Sequence, residues 1–233
     1  MRQLLSLLLC SGLAFAESSP FHWRGSVAQG RAIEVRSLNG DVFAEGYDGD
    51  EVEIVAQGTD APARIQVIQT EKGVTVCTDC SAGENLADAA KQASRVNFTV
   101  RVPKGVGLIG RTVNGAVEAE HLNSDVEAYT VNGRIRISTT RSAQARTING
   151  SIFASLANGR EFSTVNGSII LNLPAELSTR VRAETIHGRI STAFRLRNPL
   201  RFDDHVVEGA IGTGCGGLKL KTVNGSIQLN KVT

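Results

Sequence analysis

Eleven arginines fall between Thr130 and Arg201, at positions 134, 136, 141, 146, 160, 180, 182, 189, 195, 197 and 201. The same stretch holds no lysine and only Glu161, Glu176 and Glu184, a local balance of +8. A guanidinium grips carboxylate, sulfate or phosphate oxygens through two parallel hydrogen bonds, which a lysine ammonium cannot do. The chemistry this suits is capture of an anionic polymer. The plainer alternative is a charged face that keeps the protein in solution. Arg134, Arg136 and Arg189 are the candidate binding residues. Each follows a recurring glycine by one or three positions, so strand parity points all three outward on one sheet.

Other reactive side chains give less. None of His22, His121, His187 and His205 stands at a metal-ligand spacing from another. No Gly-x-Ser-x-Gly elbow and no phosphate loop occurs. Asp203 and Asp204 are adjacent acids that read as a solvated loop. Cys77 and Cys80 form a CxxC pair, and in an oxidising compartment the expectation is a local disulfide. A redox pair is the alternative, but no βαβ context surrounds it. Zinc would need further thiolates or histidines. Cys215, in Gly214-Cys-Gly-Gly217, is expected to be a free thiol. The reading is therefore of no cofactor, no metal and no enzyme. The competing function is a carbohydrate-active enzyme on a β-helix scaffold, for which no catalytic set can be named.

The elements that position these residues come from a repeat. Thr-Val-Asn-Gly or a close variant recurs at Thr112–Gly115, Thr130–Gly133, Thr147–Gly150, Thr164–Gly167, Thr185–Gly188 and Thr222–Gly225, with a degenerate copy at Val206–Gly209. Weaker units lie between the strong ones, as in TVNGRIRIS, TTRSAQAR, TINGSIFAS and LANGREFS. Each unit has eight or nine residues, and two make one period of about 17–18. The apolar positions are the residue before Asn and the second and fourth after Gly, as in Val131, Ile135 and Ile137. Such alternation marks a half-buried strand. Asn-Gly turns the chain between strands, and Gly150 and Gly167 are expected at positive φ.

A run of hairpins would also use Asn-Gly. It does not require the same residues at every second turn, whereas stacked coils do. The expected fold is thus all-β, a two-sheet β-solenoid with equivalent positions about 4.8 Å apart and stacked asparagines forming a ladder. Seven glycine-marked rungs would stand about 30–35 Å tall. Phe153 and Ile170 would be outward neighbours on adjacent rungs, an apolar contact patch or a surface covered by the loop near Leu173–Pro174.

Residues 1–16, MRQLLSLLLCSGLAFA, read as a signal peptide ending in a small-x-small cleavage site, Ala14-Phe-Ala16. The apolar stretch is too short to span a bilayer, and no later segment is a transmembrane candidate. Removing Arg2 leaves the 217-residue remainder at +1, so net charge alone names no partner. Residues 17–233 read as a single domain, with 17–105 as N-terminal β cap and first rungs and 106–233 as the repeats. A cap is needed because an open strand edge templates aggregation. Glu84–Ala93 is the one expected helix.

Three stretches carry a family resemblance: Ile33-Glu-Val-Arg-Ser-Leu-Asn-Gly-Asp-Val42, Val100-Arg-Val-Pro-Lys-Gly105, and Gly209-Ala-Ile-Gly212 followed by Leu218-Lys-Leu-Lys-Thr-Val-Asn-Gly-Ser-Ile-Gln-Leu229. With the repeats, they resemble a bacterial putative-adhesin β-solenoid domain family of uncharacterised function. The resemblance covers nearly all of the chain after residue 16. It implies an exported, repetitive β protein of adhesive or surface role and supplies no catalytic residues. Cys77, at the end of a strand, matches the family's first cysteine. The expected function is a non-enzymatic binding or scaffolding module at the cell envelope, in the periplasm, on the surface or secreted. The expected partner is an anionic envelope polymer or a surface protein, not nucleic acid. The oligomeric state is not legible.

Overall fold

Valine, isoleucine and alanine alternate with polar residues along most of this chain, and branched side chains at every second position suit a pleated strand with one buried face. The computed structural model describes residues 20–58, 64–78, 80, 90–91 and 93–232, with the backbone alone at 201 and 202, and it is all-β. The signal peptide expected at 1–16, and most of the helix expected over Glu84–Ala93, lie outside the described residues.

The first strands are β1 (Phe21–Gly25), β2 (Ala32–Arg36), β3 (Val42–Tyr47), β4 (Val52–Gly58), β5 (Gln66–Thr70), β6 (Gly73–Cys77) and β7 (Val96–Pro103). Next come β8 (Gly107–Arg111), β9 (Val117–Leu122), β10 (Val126–Tyr129), β11 (Ile135–Arg146), β12 (Ile152–Ser163) and β13 (Ile169–Pro174). The last are β14 (Thr179–Glu184), β15 (Ile190–Thr192), β16 (Arg197–Phe202), β17 (Val206–Ile211), β18 (Gly217–Lys221) and β19 (Ile227–Val232).

All belong to one hydrogen-bonded sheet that curls on itself, because β11 and β12 are long enough to pair in two places. One ladder runs β1–β4–β7–β3–β9–β11–β12–β13–β19–β15 through the first halves of β11 and β12. The other runs β5–β6–β2–β8–β10–β11–β12–β18–β14–β17–β16 through their second halves. Pairing is parallel through the middle of both ladders, and antiparallel at the β1 end of the first and at both ends of the second. The two inner faces share one core of Val, Ile, Leu and Ala, with Phe98 and Phe162 as its largest fully buried side chains.

Each letter of Thr-Val-Asn-Gly has its own task. The threonines are buried, and their hydroxyls donate to the glycine carbonyl of the neighbouring unit at 2.7–3.1 Å, as Thr147 does to Gly133 and Thr164 to Gly150. The asparagine amides form a ladder from Asn224 through Asn166, Asn149, Asn132 and Asn114 to Asn39, each donating to the next at 2.7–2.8 Å. Asn39 closes the ladder by donating to the carbonyls of Ala90 and Ala93. The glycines allow close stacking. A Cβ on Gly150 would lie 2.6 Å from the carbonyl carbon of Gly133 and nearer still to its oxygen.

That corrects the expectation for Gly150 and Gly167. Among the glycines positive φ falls at others, such as Gly30 and Gly40, and these two are glycine because backbone lies directly beneath them. The residue before Asn departs from its expected role too. It points out of the core, along a row Leu38–Val113–Val131–Ile148–Val165–Val223–Ile186. Ala90 and Ala93 cover its first three members. Further along, Ile148 is 44%, Val165 39% and Ile186 57% exposed.

The stacking does not follow chain order at the C-terminal end. β19 inserts between β13 and β15, and β18 between β12 and β14. Asn224 therefore bridges Asn166 on one side and His187 on the other. The Val206–Gly209 copy expected as a rung belongs instead to β17, antiparallel to β14. At the other end Asn39 bridges Asn114 directly, and the chain between them supplies the antiparallel strands.

Candidate functional site

Parallel in-register stacking sets equivalent side chains side by side, so a charged position recurs as a row. On the outer face of the second ladder one row reads Arg36–Arg111–Tyr129–Arg146–Ser163–Lys221–Glu184. The row beside it supplies carboxylates. Glu34 receives Arg36 at 2.8 Å and Arg111 at 2.9 Å. Arg111 also stacks over the Tyr129 ring, 4.1 Å from its centroid. Tyr129 donates to Glu127, and Arg146 pairs with Glu161 at 3.1 Å. Arg182 reaches Glu184 and Glu208. Burial pushes the Glu34 carboxyl up, but its hydrogen bonds and charge contacts with Arg36 and Arg111 outweigh this and hold it below the ordinary value. Burial, with the hydrogen bond to Glu127, raises the Tyr129 phenol. This face is largely self-neutralised.

The first ladder carries Arg134, Arg136 and Arg189, all exposed on its outer side. They do not form one cluster. Arg134 and Arg189 occupy the same row, separated by Ser151, Ser168 and Ser226, so they stand about 19 Å apart at strand spacing. The serine hydroxyls between them accept the backbone N–H of the next strand. Arg134 pairs with Glu118 at 2.8 Å and Arg189 with Asp204 at 3.7 Å. Arg136 lies over the Phe153 ring, 5.7 Å from its centroid, and Phe153 is the in-register neighbour of Ile170. Those three line a shallow hollow of about 280 Å³ with His121 and Asn172. His121 itself has φ 54, where the β9–β11 register slips.

A larger cleft, of about 460 Å³, lies at the corner opposite the Asn-Gly ladder, where the first ladder turns into the second. Arg31, Lys104, Arg141 and Arg160 line it, with Asp125 and Glu127 on the β10 side. Two register irregularities form this corner. Thr140 and Arg141 of β11 stand opposite the single residue Ala157, and Arg160 and Glu161 of β12 stand opposite the single residue Gln144. Each is a β-bulge, which bends a strand and re-aims a side chain. The two bulges cancel, so register is restored beyond them. Arg160 reaches Asp125 at 3.6 Å and Lys104 reaches Asp48 at 2.7 Å. Among the described residues Arg31 and Arg141 have no ion-pair partner. Ser124 also lines the cleft. It is 4% exposed, and its hydroxyl has no hydrogen-bond partner among the described residues. An unmet buried hydroxyl costs about 1–3 kcal/mol.

Sequence reasoning counted Arg141 and Arg160 in the basic stretch but did not bring them together, and it missed Arg31, Lys104 and Ser124. A signal was present. TTRSAQAR and LANGREFS are the eight-residue units in which the Asn-Gly pattern weakens, and each carries one bulge arginine.

Cys77 and Cys80 are joined as a disulfide with Cα atoms 5.5 Å apart, and Cys215 is an exposed free thiol. Among the described residues no group of three His, Cys, Asp or Glu could hold a metal ion. No helix there is long and apolar enough to cross a membrane.

No protein-family model matches this chain, and neither does any curated protein. Solved structures do. One is described as a putative cell adhesion protein from Clostridium sporogenes, 10% identical, covering 92% of this chain and 100% of its own, with a TM-score of 0.43. Another is a putative adhesin from Bacteroides fragilis, 14% identical over 92% of this chain and 97% of its own, with a TM-score of 0.40. A third, from Parabacteroides distasonis, is described as a putative lipid binding protein, 11% identical over 92% and 97%, with a TM-score of 0.31. Adhesins are thus among the proteins this chain is similar to, the group named by the sequence resemblance. At such identities and superpositions the likeness carries no functional inference.

Proposed function

We propose that this chain is an exported, non-enzymatic binding module of the bacterial cell envelope, adhesin-like, that holds an anionic polymer. The scaffold in this reading is a two-sheet β-solenoid with coils of about 17–18 residues, capped at its N-terminal end by β1, β4 and β5. The observation that carries the functional reading is the arginine surface. Arginines line the outer faces of both ladders and the bulged corner, and Arg31, Arg136 and Arg141 among them meet no carboxylate among the described residues. Such a surface presents several guanidinium forks to a repeating anion without moving.

Binding by exposed charges is screened over about 8 Å at physiological ionic strength, so it weakens with salt. The test is binding of the protein to immobilised sulfated, phosphorylated and neutral polysaccharides at low and high salt. Salt-sensitive retention on the charged polymers and none on the neutral ones is expected. Equal retention on neutral polymer, or none on any, would overturn the reading. Arg134→Ser/Arg136→Ser/Arg189→Ser should weaken retention about 2–5-fold, the scale of exposed ionic contacts, two of these arginines already facing acids.

The enzyme alternative would have to use Asp125 and Glu127, the two acids of the corner cleft. Asp125 accepts the Ser142 N–H and faces Arg160, while Glu127 accepts the Tyr129 hydroxyl. A glycosidase needs two carboxyls facing the scissile bond, and both of these are already engaged by neighbouring side chains.

A further inference from the structure

We infer that the cleft at the bulged corner is a built binding site for a sulfate or phosphate ester carried on a sugar chain. This rests on the anionic-polymer reading above and locates its main seat, away from Arg134, Arg136 and Arg189.

Three observations converge there. The first is where the cations sit. Arg141 and Arg160 each occupy a β-bulge, the two bulges lie on neighbouring strands, and both side chains line the same cleft as Arg31 and Lys104. A regular ladder of period 17 would have continued the neutral row without interruption. The extra residue in each strand bends the chain at the corner and re-aims the side chain it carries. The second is pairing. Along the middle of the second ladder Arg36, Arg111, Arg146 and Arg182 are matched to acids, whereas Arg180 and Arg197 near its far end are not. In the cleft Arg31 and Arg141 face none, and the Arg160 contact with Asp125 is loose at 3.6 Å. The third is that these cations come from four separate segments, Arg31 before β2, Lys104 after β7, and the two bulge arginines on β11 and β12.

The acids define the rest of the ligand. Asp125 and Glu127 stand on one side of the cleft. A bare anion would be repelled by them, whereas a sugar bearing an ester turns hydroxyl donors towards carboxylates while its charged group meets the arginines. With Asn123 and Gln29 also on the wall, the cleft offers donors and acceptors around a cationic centre. Its volume of about 460 Å³ lies in the range of small-ligand sites.

The test uses calorimetry with a glucan tetrasaccharide bearing one sulfate ester per sugar, its unsulfated counterpart, inorganic sulfate, and phosphatidylglycerol vesicles. Arg141→Gln/Arg160→Gln keeps both stems and removes both charges at exposed positions. It should weaken sulfated-tetrasaccharide binding tenfold or more, since hydrogen bonds to charged groups are the strong ones (about tenfold or more each). The triple serine variant of Arg134, Arg136 and Arg189 should lose less than the double variant. If the triple variant loses binding and the double variant retains it, the cleft is not the seat, while the anionic-polymer reading survives. If the wild-type protein binds no sulfated sugar, the cleft assignment falls, and the anionic-polymer reading falls with it only if sulfated and phosphorylated polysaccharides also fail to retain the protein. If inorganic sulfate or vesicles bind as tightly as the sulfated sugar, the sugar-borne ester is wrong.

Discussion

The two corners of this molecule are built on opposite principles. At the Asn-Gly corner each stacked unit repeats Thr-Val-Asn-Gly or a close variant. Buried threonine hydroxyls, stacked amides and bare glycine backbones make contacts that no other residue types reproduce at that spacing. At the opposite corner the residues change from unit to unit, the register slips twice, and charged side chains gather around a cleft. Regularity holds the stack together, and irregularity gives it a site. A β-bulge is tolerated at one corner because the ladder at the other fixes the register.

The sharpest way to break this contrast is to add one methyl group at each corner. Gly150→Ala would drive its Cβ into the backbone of Gly133, where nothing flexible can yield. A loss of about 1–3 kcal/mol or more is expected, as for overpacking elsewhere. Gly107→Ala, at the cleft, would meet its nearest neighbours at 3.4–3.5 Å, ordinary contact, and should change stability by less than about 0.5 kcal/mol. Denaturant midpoints measure both. Gly150→Asn serves as a further control, because asparagine accepts positive φ readily. If asparagine were tolerated there and alanine were not, backbone conformation rather than close stacking would explain the glycine.

A smaller effect should separate the polar ladders. Thr147→Val removes a buried hydroxyl that donates to Gly133 and leaves that carbonyl short of a donor. A cost of about 1–2 kcal/mol is expected. Asn149→Ala removes one amide donated and one accepted in the exposed ladder, where water competes, so about 0.5–1 kcal/mol is expected. Asn123→Ala, at the irregular corner, removes only the one exposed hydrogen bond accepted from the Thr140 hydroxyl and should cost less than either. Equal losses at Asn149 and Asn123 would show that the amide ladder contributes nothing.

The smallest effect concerns the face between the corners. The folded state holds Glu34 below its ordinary value of 4.5. A carboxyl depressed by folding adds stability above its unfolded value and loses it as pH falls through the folded one. Wild type should therefore lose stability below about pH 4.5 more steeply than Glu34→Gln, with the two curves converging in strong acid. Parallel curves between pH 5 and 3 would remove Glu34 and its two arginines from the acid sensitivity of the fold.

Much of this was legible in the residues. The alternation of Val131, Ile135 and Ile137 with polar neighbours fixes strands with one inward face, and the recurrence of Thr-Val-Asn-Gly at about 17 residues fixes which strands become neighbours in the middle of the chain. Phe153 beside Ile170 follows from that period and is what the structure shows. The stacked asparagines follow from it as well. These are local or strictly periodic facts, and side-chain direction in a strand depends only on parity.

Tertiary structure decided the rest, because it turns on choices between nearly equivalent edges. Nothing in Thr222-Val-Asn-Gly225 says that it should lie between the units of Gly167 and Gly188 rather than beyond them. Either edge offers the same hydrogen bonds, and only the path of β14 to β17 selects one. The glycines could serve a turn or a close approach, and the spacing of neighbouring backbones chose the second. The row that includes Ile148 and Ile186 is apolar in sequence yet lies outside the core, because it sits on the corner where the chain bends away. The cleft belongs to the same class. Arg31, Lys104, Ser124, Arg141 and Arg160 are spread over 130 positions of sequence, and what joins them is strand stacking and two bulges that a period of 17 does not predict.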